Sequence, residues 1–96
     1  MKYIIPLEKL ANQALKVELN GVDCNLTFIT RGGRLYLDTF SVDNQNKING
    51  VICLNKNNLF ELAKFKGKLY FEDLQGNEEP YFTGFNDRFV LCYEDD

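Results

Sequence analysis

The chain of 96 residues has no histidine and no tryptophan, and Ser41 is its only serine. These absences remove most enzyme chemistry. Without His, neither a Ser-His-Asp triad nor a Cys-His pair can be assembled within one chain. Zinc sites built on His are excluded too, and the three scattered cysteines cannot complete a four-cysteine site. Ser41 reads as a strand-end or loop residue with no base to activate it. No catalytic residue, metal or cofactor is therefore expected. Proline is scarce, at two residues, and the seven glycines are spread along the chain, so no Pro/Gly-rich linker divides it. No apolar run approaches the roughly 18–20 residues that cross a bilayer, and no membrane association is expected. The opening segment Met1–Leu7 lacks a long apolar stretch and a small-residue cleavage site, and is not expected to act as a secretion signal.

What is present is ordinary globular material. Hydrophobic residues are 45% and charged residues 26%, which is not the composition of a disordered chain. A chain of this length supports one core, so a single all-β domain over 1–96 is expected, with a frayed acidic tail at Glu94-Asp95-Asp96. The net charge is −3, a poor basis for binding nucleic acid, and none is expected as a partner. Cys24, Cys53 and Cys92 each sit in an apolar or strand-like run, without a basic neighbour or a CxxC spacing that would activate a thiol. They read as reduced, small core hydrophobes in a reducing compartment.

Alternation with period 2 dominates the chain. Leu15 to Leu19 alternates apolar with charged residues, and Asn20-Gly21 follows, the strongest two-residue hairpin signal. Cys24 to Thr30 alternates again, and Gly32-Gly33 offers a second tight turn before Leu35 to Phe40. A polar loop, Asp43-Asn44-Gln45-Asn46, leads to a strand over Ile48–Leu54, with Gly50 marking a bulge or a close backbone approach. That polar loop lacks the glycine and the distal bidentate Glu of a calcium-binding hand. Leu69–Glu72 and Arg88–Tyr93 are later strands, separated by turns at Gln75-Gly76-Asn77 and Phe85-Asn86-Asp87, with a short strand expected over Glu79–Thr83. Asn58–Phe65 breaks the pattern. Leu59, Leu62 and Ala63 stand at helical spacing, Asn58 and Glu61 make a capping box, Lys64 and Lys66 sit near the end, and Gly67 can terminate one or two helical turns. Short strands with frequent turns predict a small, mainly antiparallel β barrel or sandwich with one short helix.

The chain is 14% aromatic, and most of these rings are expected in the core. Strand alternation nominates the rest. With Leu35, Leu37 and Thr39 on one side, Tyr36, Asp38 and Phe40 face the other. With Leu69 and Phe71 inward, Tyr70 and Glu72 face outward. Tyr36, Phe40 and Tyr70 are thus the candidate residues for a protein interface, where aromatics are enriched. Glu72-Asp73 and Glu78-Glu79 are adjacent pairs, and strand neighbours point to opposite faces, so neither makes an acid–base dyad.

An ordered set of small motifs runs through the whole chain. It comprises Ile5-Pro6-Leu7, Asn12-Gln13, Val17-x-Leu19-x-Gly21, Arg31-Gly32-Gly33-x-x-Tyr36-x-Asp38, Ile48-x-Gly50-x-x-x-Leu54, Leu69-x-Phe71-x-Asp73-x-x-Gly76, Pro80 and Arg88-Phe89-x-Leu91-x-Tyr93. The set resembles the small baseplate plug family of contractile-tailed phages and prophages, of the cyanophage type. One departure is the position before the tyrosine-aspartate pattern, where that family often carries tryptophan and this chain has Leu35 or Tyr36. The resemblance implies a non-enzymatic tail component in the virion baseplate, made and assembled in the bacterial cytoplasm. Its partners would be hub or spike proteins, with a threefold homo-oligomer or a threefold partner, and it would help seal the tail tube. Two other readings stand beside it: a small acidic inhibitor or immunity-type protein, and an OB-like binder of single-stranded nucleic acid. The acids Asp38 and Glu72 beside Tyr36 and Tyr70 count against the last.

Overall fold

The computed structural model describes residues 2–61, 63 and 65–95. Its strands are β1 (Lys2–Ile5), β2 (Gln13–Leu19), β3 (Val22–Arg31), β4 (Arg34–Val42), β5 (Gln45–Ile52), β6 (Lys68–Asp73) and β7 (Phe89–Glu94), with one 3-10 turn at Phe82–Gly84. Two antiparallel sheets form, β2-β3-β4-β5 and β1-β7-β6. They are not closed into a barrel.

Local sequence explains the four-stranded sheet. Its three hairpins turn on Asn20-Gly21 (φ +54°, +76°), Gly32-Gly33 (φ +57°, +78°) and Asp43-Asn44 (φ +50°, +65°). Two successive positive φ values match the right-handed twist of the flanking strands, and Gly, Asn and Asp tolerate them best. The third turn replaces the expected polar loop over 43–46, so β5 starts at Gln45. Gly33→Val is expected to cost about 1–2 kcal/mol more than Gly76→Val in urea unfolding, because only Gly33 is left-handed. Equal costs would contradict the turn.

Inward residues of both sheets share one core. Leu26, Phe28, Leu35, Leu37 and Phe40 from the larger sheet meet Leu69, Phe71, Leu91 and Tyr93 from the smaller. Phe28 packs edge-to-face on Phe71 at 5.7 Å between ring centroids, joining the layers. Along one side the chain itself links the sheets: the Cys53 amide donates to the Leu35 carbonyl (2.9 Å), the Lys56 amide to Phe71 (2.8 Å) and the Leu59 amide to Leu69 (2.6 Å). On the other side, β1 pairs with β7 alone and β2 with β3 alone among the described residues.

Two local expectations are corrected. The described part of 58–65 is turn rather than helix. Adjacent Leu59 and Phe60 both enter the core, and the Asn58 side chain accepts from the Phe60 amide (3.0 Å) and the Leu69 amide (3.1 Å), tying the segment to β6. Leu62 and Lys64, part of the helical pattern, lie outside the described residues. Glu79–Thr83 is not a strand; Tyr81 and Phe82 pack ring on ring at 4.8 Å and lead into the 3-10 turn. The strand β1 is too short for a period to announce it. Of the expected frayed tail, Glu94 is the last residue of β7 and Asp96 lies outside the described residues.

Candidate functional site

The three interface candidates separate in space. Phe40 is 0% exposed and belongs to the core, with Phe60 at 4.3 Å and Phe65 at 5.5 Å between ring centroids. Its outward assignment fails because of a β-bulge. Thr27 pairs with Thr39 and Phe28 with Leu37, leaving Asp38 as an extra residue on β4. One extra residue exchanges the two faces of everything after it. Leu35 and Leu37 therefore point inward before the bulge, and Phe40 points inward after it.

Tyr36 precedes the bulge and stays on the outer face of the larger sheet. It is half-buried in a cross-strand row with Ile29 on β3 and Ile52 on β5. Tyr70 lies on the other sheet, in a row with Cys92 and Ile4. Its hydroxyl donates to Glu94 Oε1 at 2.9 Å, and Lys2 Nζ sits 5.9 Å from its ring centroid while pairing with Glu72 at 3.2 Å. Burial, and then the hydrogen bond to Glu94, raise the Tyr70 phenol above its ordinary pKa. The two tyrosines thus present two separate surfaces.

A charged clasp that the sequence pattern does not reveal closes the 73–88 region. The Asp73 side chain is 0% exposed and receives Arg88 through Nε and Nη2, both at 2.9 Å. It also accepts the Gln75 and Glu78 amides at 2.9 Å. The Arg88 guanidinium and then these amides hold its carboxyl well below the ordinary 3.8, against a smaller upward push from burial. Because the folded pKa is lowered, this stabilisation is complete above the unfolded value and is lost as pH falls below about 4. Asp73→Asn is expected to destabilise the protein at pH 7. In denaturant titrations the gap from wild type should narrow steadily below about pH 4; a gap independent of pH would contradict the clasp.

All three thiols are free and buried. Burial pushes Cys53 up to about 12 and raises Cys24 and Cys92 as well. Cys24 and Cys53 line the core, whereas Cys92 lies between Ile4 and Tyr70 in a cross-strand row on the outer face of the smaller sheet. A thiol reagent should label the native protein slowly at all three, with completion only in denaturant. Rapid native labelling would refute the packing. Since folding holds these thiols neutral, they favour the native state below the ordinary thiol pKa and progressively less as pH rises towards 12.

A further surface concavity lies elsewhere. A groove of about 500 Å³ runs between β1 and β2, lined by Tyr3, Ile4, Ile5, Val17, Glu18 and Leu19 among others. The groove needs β1 and β2 to come together, which neither segment encodes alone. No group of three or more His, Cys, Asp or Glu side chains suited to a metal is found among the described residues. No helix of the described residues is long and apolar enough to cross a membrane.

These features define a two-sheet β scaffold whose buried charge and thiols serve the fold and whose outer surfaces carry apolar rows. The class is that of a small all-β protein built of two antiparallel sheets. The family described as "cyanophage baseplate Pam3 plug gp18" matches over residues 1–96, and the chain belongs to it. It is therefore a member of a phage tail baseplate family, which implies association with other baseplate components. No curated protein matches the chain.

Proposed function

We propose that the protein is a baseplate plug that helps seal the tail tube at the hub, without catalytic activity of its own. The observation that carries this reading is the family match, which spans residues 1–96. The physical features agree with it. A two-sheet core in which the buried side-chain polar groups of the described residues are satisfied suits a part that must hold a shape under load. Tyr36 and Tyr70, on different sheets, serve contacts with two different neighbours, a hub or spike protein and a further copy around a threefold axis. Assembly begins in the bacterial cytoplasm and ends in the virion tail. The test is electron cryomicroscopy of tails with and without this chain. Density across the distal end of the tube lumen, lost on deletion, is the expected result. A chain absent from the particle, or seated at its periphery, would overturn the proposal. As a finer check, Tyr36→Ala should leave the melting curve close to wild type and reduce incorporation into baseplates several-fold; wild-type incorporation would remove Tyr36 from the interface.

A further inference from the structure

The groove between β1 and β2 is where the sheets would have to meet for the strands to close into a barrel. Among the described residues each bordering strand has one pairing partner, so each leaves one backbone edge without a strand. Exposed strand edges are templates for further pairing, and folds usually guard them with charge, proline or a covering loop. Here the guard is thin. In β1 the only charge is Lys2, at the far end from the groove's Pro6. The apolar side chains at the edge are unusually bare: Tyr3 is 45% exposed and Ile4 59%. Beneath them Ile5 and Leu19 are buried and Val17 is half-buried against the core, giving the groove an apolar floor. The charged residues lining it are Glu18 and Asp95, both acidic.

We propose that this seam receives an extended segment of a partner protein as an added β-strand, with apolar residues alternating with Lys or Arg. Backbone hydrogen bonds to β1 or β2 supply affinity, and period-2 side chains supply selectivity. Apolar positions cover Ile5, Val17 and Leu19, and basic positions reach Glu18. A strand of about five residues, about 17 Å long at about 3.3 Å per residue, matches the length of the bordering strands. A second copy is disfavoured by charge. Isologous pairing of the seam with itself would bring the Glu18 and Asp95 of one copy towards those of the other, and the chain carries a net −3. The proposal rests on the two edges and their lining, and does not depend on the chain sealing a tube.

The experiment uses the full chain, ¹⁵N-labelled, and a capped synthetic peptide alternating Val with Lys. Binding should shift the amides of residues 3–5 and 17–19 and slow hydrogen exchange in that set. Methylating alternate peptide nitrogens on the pairing edge should weaken binding by about tenfold or more, because the added ladder is lost. Glu18→Lys, at an exposed position, should weaken the Val-Lys peptide by about fivefold and strengthen a Val-Glu peptide, with the spectrum of the free protein preserved. Peptide binding that misses these amides, no binding at all, or binding that survives methylation would overturn the proposal. So would protection of the same amides that grows with protein concentration without peptide, which would identify a second copy as the occupant.

Discussion

Phe40→Ala is expected to destabilise the protein by about 3–5 kcal/mol, the range for truncating a fully buried phenylalanine. Phe40 is central to an aromatic group in which Phe60 and Phe65 both touch its ring, at 4.3 and 5.5 Å. A domain of this size holds about 5–15 kcal/mol in total, so the loss would consume a large share of it. The melting temperature should fall by on the order of 20 °C, at about 4–8 °C per kcal/mol. A loss below about 1 kcal/mol, with partner binding impaired, would show instead that Phe40 faces outward and that the bulge at Asp38 is misplaced.

The second large effect is expected at Gly67, just before β6. Its φ is +94°, and an added Cβ would stand 2.7 Å from the Tyr93 hydroxyl and 2.8 Å from the Glu94 carbonyl oxygen. Neither can simply swing away. The Tyr93 hydroxyl donates to the Lys66 carbonyl at 2.6 Å, and Glu94 is paired with Lys68 across the sheet. Gly67→Ala is therefore expected to cost about 2–4 kcal/mol, from left-handed strain plus the displaced hydrogen bond. Gly50→Ala is the control. Gly50 has a similar φ of +79° but nothing within 4 Å of the added carbon, so strain alone, about 1–2 kcal/mol, should appear. Equal losses in chemical denaturation would mean that the close approach of Tyr93 and Glu94 is not part of the native state.

Much of this architecture is legible along the chain because hairpin rules act within a few residues. Asn20-Gly21 and Gly32-Gly33 turn as read, and the alternation of β2, β3 and β6 matches their burial. Asp43-Asn44 carries the same signal in a weaker form, as Asp and Asn reach positive φ at greater cost than Gly. Which aromatics face outward was less legible. Tyr36 faces outward as alternation requires, yet Phe40, four residues later on the same strand, does not.

The sequence by itself determined the β class, the positions of the tight turns, the absence of histidine chemistry and the family, because each depends on residue type and near neighbours. Tertiary structure alone decided three other things. A bulge at Asp38 reverses the facing of Phe40, since pairing with β3 absorbs one extra residue. The Asn58 side chain bonds to the β6 backbone rather than starting a helix, because Leu59 and Phe60 gain more by entering the shared core. The edges of β1 and β2 remain unjoined across an acidic-lipped groove, since two sheets linked along one side by residues 53–59 leave their far edges apart. Each of these outcomes balances contacts between different elements of the sheets, and the repeat pattern along any one element does not contain both sides of that balance.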